Sequence, residues 1–123
     1  MSDGGKLMEF AELEALGVDR QEVMARFMNN EGFYARILKK FLEDQSYGQL
    51  KNALDTGSTE EAFRAAHTLK GVSANLGLQN IYTLSSEITE QYRHGDADMK
   101  IVDEKMKELD EQYSMAFDII KRL

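Results

Sequence analysis

A chain of 123 residues with a formal net charge of −7 is most simply one domain, long enough to bury a core without a covalent staple. It has no cysteine, which excludes a disulfide framework and a thiolate metal site and fits a reducing compartment, so a cytoplasmic location is expected. The acidity argues against nucleic acid as a partner, because phosphate backbones need a basic footprint; no apolar run approaches the roughly 18 residues of a membrane span, so no membrane is expected either.

Residues 1–8 lack the apolar segment of a secretion signal and read as a flexible N-terminus. Residues 9–123 read as a single helical domain. The chain is free of proline and rich in Leu, Glu, Lys, Ala and Met, which suits long helices. Phe10 to Leu16 is a short helix candidate closed by Gly17. Asp19 has capping-box spacing to Glu22 and opens a helix with Val23, Met24, Phe27 and Met28 on one side. Asn29-Asn30 ends it, and Asn30 can cap the next.

That next helix is predicted over 31–54. Tyr34, Ile37, Leu38, Phe41 and Leu42 recur at helical gaps, and Leu50, Ala53 and Leu54 continue them. Gly48 is the weak spot inside it, where a kink or a close contact is expected. Ser58 with Glu61 restarts the chain after Gly57. A third long helix then carries Ala62, Ala65 or Ala66, Leu69, Val72 or Ser73, and Leu76, with Gly77 as its left-handed cap. A fourth, with Ile81, Leu84, Ile88 and Tyr92, ends at His94-Gly95. Asp98 caps the last, where Val102, Met106, Leu109, Tyr113, Ala116, Ile120 and Leu123 form an unbroken heptad seam. Short connections make consecutive helices antiparallel neighbours. The expected fold is all-α: an up-down-up-down four-helix bundle over 31–54, 58–76, 79–94 and 98–122, with the short N-terminal helices across one end.

The charge is unevenly spread. From Ala62 to Ser86 there is no Asp or Glu, although Arg64 and Lys70 are present. A buried helix pair would explain this; so would a place where an anion must sit. With Ala62, Leu69, Val72 and Leu76 on the core face, His67 points outward together with Phe63, Lys70, Gly71 and Ala74. A neutral imidazole, of unperturbed pKa about 6.5, is a good nucleophile near neutral pH. Its attack on a phosphoryl group gives a phosphoramidate of high transfer potential. Phosphoryl transfer asks a protein mainly for positioning and charge stabilisation. Lys70, one turn along, can supply positive charge. Gly71 at i+4 removes bulk where another molecule must approach, and a helix-interior glycine otherwise costs about 1 kcal/mol. A hairpin turning at Gly77-Leu78 sets position 67 level with about 88. Ser86, Thr89 and Arg93 are then expected to be exposed beside the histidine, and Arg64 at i−3 is a further neighbour. A surface His with Lys and Gly at helical spacing can also arise by chance.

The run Ala66-His67-Thr68-Leu69-Lys70-Gly71, followed by Ala74-Asn75-Leu76-Gly77, resembles the signature of histidine-containing phosphotransfer (HPt) domains of multistep two-component phosphorelays. Phe27, the Asn29-Asn30 break, Tyr34, Leu38 and Phe41 resemble the upstream part of that family, and the likeness covers roughly residues 10–122. The resemblance implies that His67 is the phosphorylated residue, that Lys70 stabilises the phosphate and that Gly71 leaves room for the partner. It implies receiver domains of response regulators or hybrid histidine kinases as donor and acceptor. The phosphorylated aspartate of such a domain sits beside Mg²⁺, so the metal belongs to the partner and no cofactor is expected on this chain. A monomer is the expected state.

Two other readings compete: the phosphorylatable domain of a chemotaxis-type histidine kinase, and a helical interaction domain with an unused histidine. The chain has neither a Gly-x-Gly-x-x-Gly motif nor a Walker lysine loop, so it is not expected to be the kinase that first loads the phosphate, nor an enzyme with its own ATP site. His94 reads as a helix C-terminal cation. With two histidines and no cysteine, a metal site at Glu90 and His94 is not expected. Met24, Met28, Met106 and Met115 read mainly as core filler, Met24 and Met28 alternatively as an apolar docking patch.

Overall fold

The computed structural model describes residues 10–123, so the expected flexible segment 1–8 lies outside the described residues. Those described form seven α-helices: α1 (Phe10–Glu14), α2 (Arg20–Arg26), α3 (Glu31–Lys39), α4 (Ser46–Thr56), α5 (Thr59–Leu76), α6 (Gln79–Arg93) and α7 (Met99–Lys121). The capping residues act as their chemistry dictates. Asp19 accepts from the Glu22 N–H, Asn30 from Phe33, Ser58 from Glu61 and Asp98 from Lys100, each satisfying a donor that the first helical turn leaves unpaired. Gly57 and Gly77 close α4 and α5 at φ 76° and 75°, in the left-handed region open to glycine.

The expected single helix over 31–54 is broken. A 3-10 turn, Lys40–Glu43, follows α3, and Asp44 is extended at ψ 136°. The Asp44 carboxylate then accepts from the Ser46 N–H at 3.0 Å and from its hydroxyl, which starts α4 afresh. Gly48 is not the weak spot: it lies inside α4, and a Cβ there would meet nothing within 4 Å. The two pieces still run as one arm against α5. The Tyr34 hydroxyl donates to the Leu76 carbonyl at 2.7 Å, Phe41 shares a groove wall with Val72, and Gly48 and Asn52 share one with Ala65 and Glu61.

α4 packs on α5, α5 on α6 and α6 on α7, while α7 returns to α3 and the 3-10 turn. Tyr47 bonds Asp110 and stacks on Tyr113 at 3.8 Å, closing the bundle between α4 and α7. The heptad seam of α7 is buried at Val102, Met106, Leu109, Ala116 and Ile120, with Tyr113 half-buried. The N-terminal helices lie at the end where α5 turns into α6. Asn80 N–H donates to the Leu16 carbonyl, and Arg26 donates to the Ala74 and Asn75 carbonyls at 2.9 Å, satisfying acceptors at the end of α5. Met28 is not on the helix's apolar side: it follows α2 at φ 58° and is 77% exposed. No helix of the described residues is long and apolar enough to cross a membrane.

Candidate functional site

The site is built on α5 because its two faces differ in side-chain size. Ala62, Ala65, Ala66, Leu69, Ser73 and Leu76 are buried. The small ones suit close packing on α6, whose own buried side includes Ser85 and Thr89. These polar residues enter a core because each hydroxyl bonds a carbonyl one turn back: Ser73 to Leu69 at 2.8 Å, Ser85 to Ile81 and Thr89 to Ser85 at 2.7 Å. Thr89 is therefore not an exposed neighbour of His67, as the hairpin register had predicted; it is fully buried with its hydroxyl satisfied. Ser86 is half-buried, while Arg64 and Arg93 are exposed.

His67 stands on the outer face, exposed to solvent, with Gly71 exposed one turn along and Lys70 half-buried. Gly71 sits in open space, where a Cβ would meet no atom within 4 Å. Packing among the described residues therefore gives no reason for a glycine there. The His67 imidazole lies parallel to the Phe63 ring, with centroids 6.1 Å apart and planes 8° apart, an offset arrangement that aromatic quadrupoles favour. The Arg93 guanidinium covers Phe63 at 5.6 Å from the ring centroid.

Positive charge is gathered around the histidine and held by carboxylates from beyond the acid-free stretch. Arg64 pairs with Glu60 at 3.0 Å, one turn back on α5. Arg93 Nε donates to Glu90 at 2.8 Å on α6. That hydrogen bond holds the Glu90 carboxyl below its ordinary range; desolvation opposes it, and the charges of Arg93, Lys70 and His94 add to the lowering. Among the described residues Lys70 has no ion-pair partner, leaving its ammonium available to an incoming anion.

The structure thus brings His67, Lys70, Gly71, Arg64 and Arg93 to one face. Phe63, Glu60 and Glu90 join them there. Sequence reasoning placed Phe63 on this face without giving it a role, and it did not enlist the two glutamates. The signal for Phe63 was its i−4 spacing to His67, and for Glu90 its i−3 spacing to Arg93. Gathered together, these residues offer a solvent-exposed nucleophile, an available cation and clearance for a second molecule. Among the described residues, no group of three or more His, Cys, Asp or Glu side chains is placed to hold a metal ion. His94 caps α6, its N–H bonding the Tyr92 carbonyl.

In comparisons with known proteins, the family model described as Hpt domain matches residues 36–117. No curated protein and no solved structure matches the chain.

Proposed function

The chain belongs to the Hpt domain family, and from that premise we propose that it relays a phosphoryl group between receiver-domain aspartates through His67. Members of the family are phosphohistidine-bearing transfer modules of two-component systems, phosphocarriers without a catalytic site of their own. The observation that carries the assignment to this face is the pairing of an exposed His67 with Gly71, a helix-interior glycine surrounded by open space. Such a glycine costs about 1 kcal/mol against alanine. Gly48 shares that openness, but Gly71 lies one turn from an exposed histidine and beside Lys70, which has no ion-pair partner among the described residues.

In the loading step, the lone pair of a His67 ring nitrogen forms the N–P bond. The P–O bond to the donor carboxylate breaks, its electron pair staying with that carboxylate, and the proton on the other ring nitrogen is free to leave to solvent. Lys70 balances the negative charge on the equatorial oxygens as they pass from one atom to the other. Mg²⁺ belongs to the receiver in this scheme. Delivery to a second receiver is the reverse reaction with a different aspartate. Arg64 and Arg93 flank the approach.

The test is transfer of labelled phosphate from a phosphorylated receiver domain. The expected product is acid-labile, alkali-stable label on the wild type and none on His67→Gln. Label persisting in His67→Gln overturns the site. Label that arises only with a kinase ATP-binding domain, and never from any receiver, overturns the relay reading in favour of a kinase's phosphorylatable domain.

A further inference from the structure

Phe63, His67 and Arg93 form a layered stack across two helices. Phe63 is one turn before His67 on α5, and its ring is half-buried against the hydrophobic core. Its outward side lies parallel to the imidazole at 6.1 Å and 8°. The Arg93 guanidinium rests on the same phenyl ring at 5.6 Å, and Glu90 fixes that guanidinium through a 2.8 Å hydrogen bond. An exposed histidine on a helix ordinarily exchanges among rotamers within nanoseconds. Here one of its neighbours is a rigid ring, anchored in the core on one side and covered by a tethered cation.

We propose that Phe63 is the positioning residue for His67: it selects the imidazole rotamer that presents a ring nitrogen to the incoming phosphorus, and Arg93, held by Glu90, keeps the phenyl ring in place. The inference rests on the reading of His67 as phosphoryl acceptor. Two features favour orientation over mere packing: the two ring planes are matched, and the buttress comes from α6 rather than from α5 itself. Phosphoryl transfer depends on in-line geometry, so restricting the ring favours the chemical step more than encounter with the donor.

The experiment compares wild type, Phe63→Leu, Phe63→Tyr and Arg93→Gln in two measurements. The first is the nuclear magnetic resonance spectrum of the His67 ring, which needs no phosphorylation. Phe63→Leu should shift the ring-proton resonances and broaden the side-chain torsional distribution, Phe63→Tyr should restore both, and Arg93→Gln should produce a smaller change in the same direction. The second is the rate of phosphorylation by phosphoramidate, a small donor that needs no docking surface. Phe63→Leu should lower the maximal rate on the order of tenfold with little change in the half-saturating donor concentration, inside the roughly hundredfold that small misplacements can cost. Phe63→Tyr should recover it. Unchanged ring resonances in both Phe63→Leu and Arg93→Gln overturn the proposal, as does an unchanged rate in Phe63→Leu. A wild type that takes no phosphoryl group from phosphoramidate or from any receiver overturns the reading of His67 itself, while the ring spectra still report whether Phe63 orients it.

Discussion

At the scale of single residues, the site works by leaving space as much as by filling it. Gly71 is the clearest case, because a Cβ there would meet nothing within 4 Å among the described residues. Replacing it with alanine removes backbone freedom from the unfolded state without a clash in the folded one. Gly71→Ala should therefore raise stability by about 0.5–1 kcal/mol, measured by urea unfolding. The same change should slow transfer from a receiver, and Gly71→Gln should slow it further, with a smaller loss when phosphoramidate is the donor. Equal losses with both donors would mean that the glycine does not serve partner approach. The carboxylate-free stretch from Ala62 to Ser86 was legible in the sequence, but its meaning was mixed. Much of it is the buried interface of α5 and α6, and Glu60 and Glu90 reach the site from beyond both of its ends. The hairpin register put Thr89 at the level of His67 but did not show that it faces inward; a hydroxyl that bonds the carbonyl at i−4 buries like a small apolar group.

Among the elements, helix ends were more legible than helix continuity. Asp19, Asn30, Ser58 and Asp98 all cap as their residue types and spacing predicted, since a cap is a local contact within three residues. The break after Lys39 was hidden because Phe41 and Leu50 keep their place on the buried side across it, so apolar periodicity ran on while the hydrogen bonding changed. Asp44 restarts the helix through Ser46, a polar contact that apolar periodicity does not register. The Arg26 bonds to the end of α5 span 48 and 49 residues, a separation that periodicity does not reach. The glycines show the same division. At Gly77, φ is 75° and an added Cβ would lie 2.5 Å from Val23 Cγ1, whereas Gly48 has ordinary helical geometry and open space. Gly77→Ala should cost more than about 1 kcal/mol and loosen α2 from the end of α5, while Gly48→Ala should stabilise by about 1 kcal/mol. Urea midpoints measured side by side check the opposite signs; a neutral Gly77→Ala would show that α2 does not pack there in solution.

For the whole molecule, the bundle is tied across its layers by tyrosines, and this sets its response to alkali. Tyr34 is fully buried, and its hydroxyl links α3 to the last carbonyl of α5. Tyr47 bridges α4 to Asp110 and stacks on Tyr113 of α7, while Tyr92 packs where α6 meets α7. Burial pushes all four phenols above the ordinary value of 10.0; the hydrogen bond to Asp110 adds to the rise at Tyr47, and nearby Arg26 opposes it at Tyr34. A phenol is neutral when protonated, so a raised folded value means that folding favours the protonated form. The stabilisation is fully present below the unfolded value and is lost as the pH rises through it toward the folded values. The urea midpoint should therefore hold nearly level from about pH 8 to 9 and fall steeply above about pH 10, before lysine deprotonation is complete. Tyr34→Phe should lower stability by about 1 kcal/mol at neutral pH through loss of the bond to Leu76, and should make the alkaline decline shallower because one of the four titrating groups is gone. Unfolding curves of both proteins across that range carry the test: an alkaline slope unchanged in Tyr34→Phe would place the titrating load on the α4–α7 tyrosines instead.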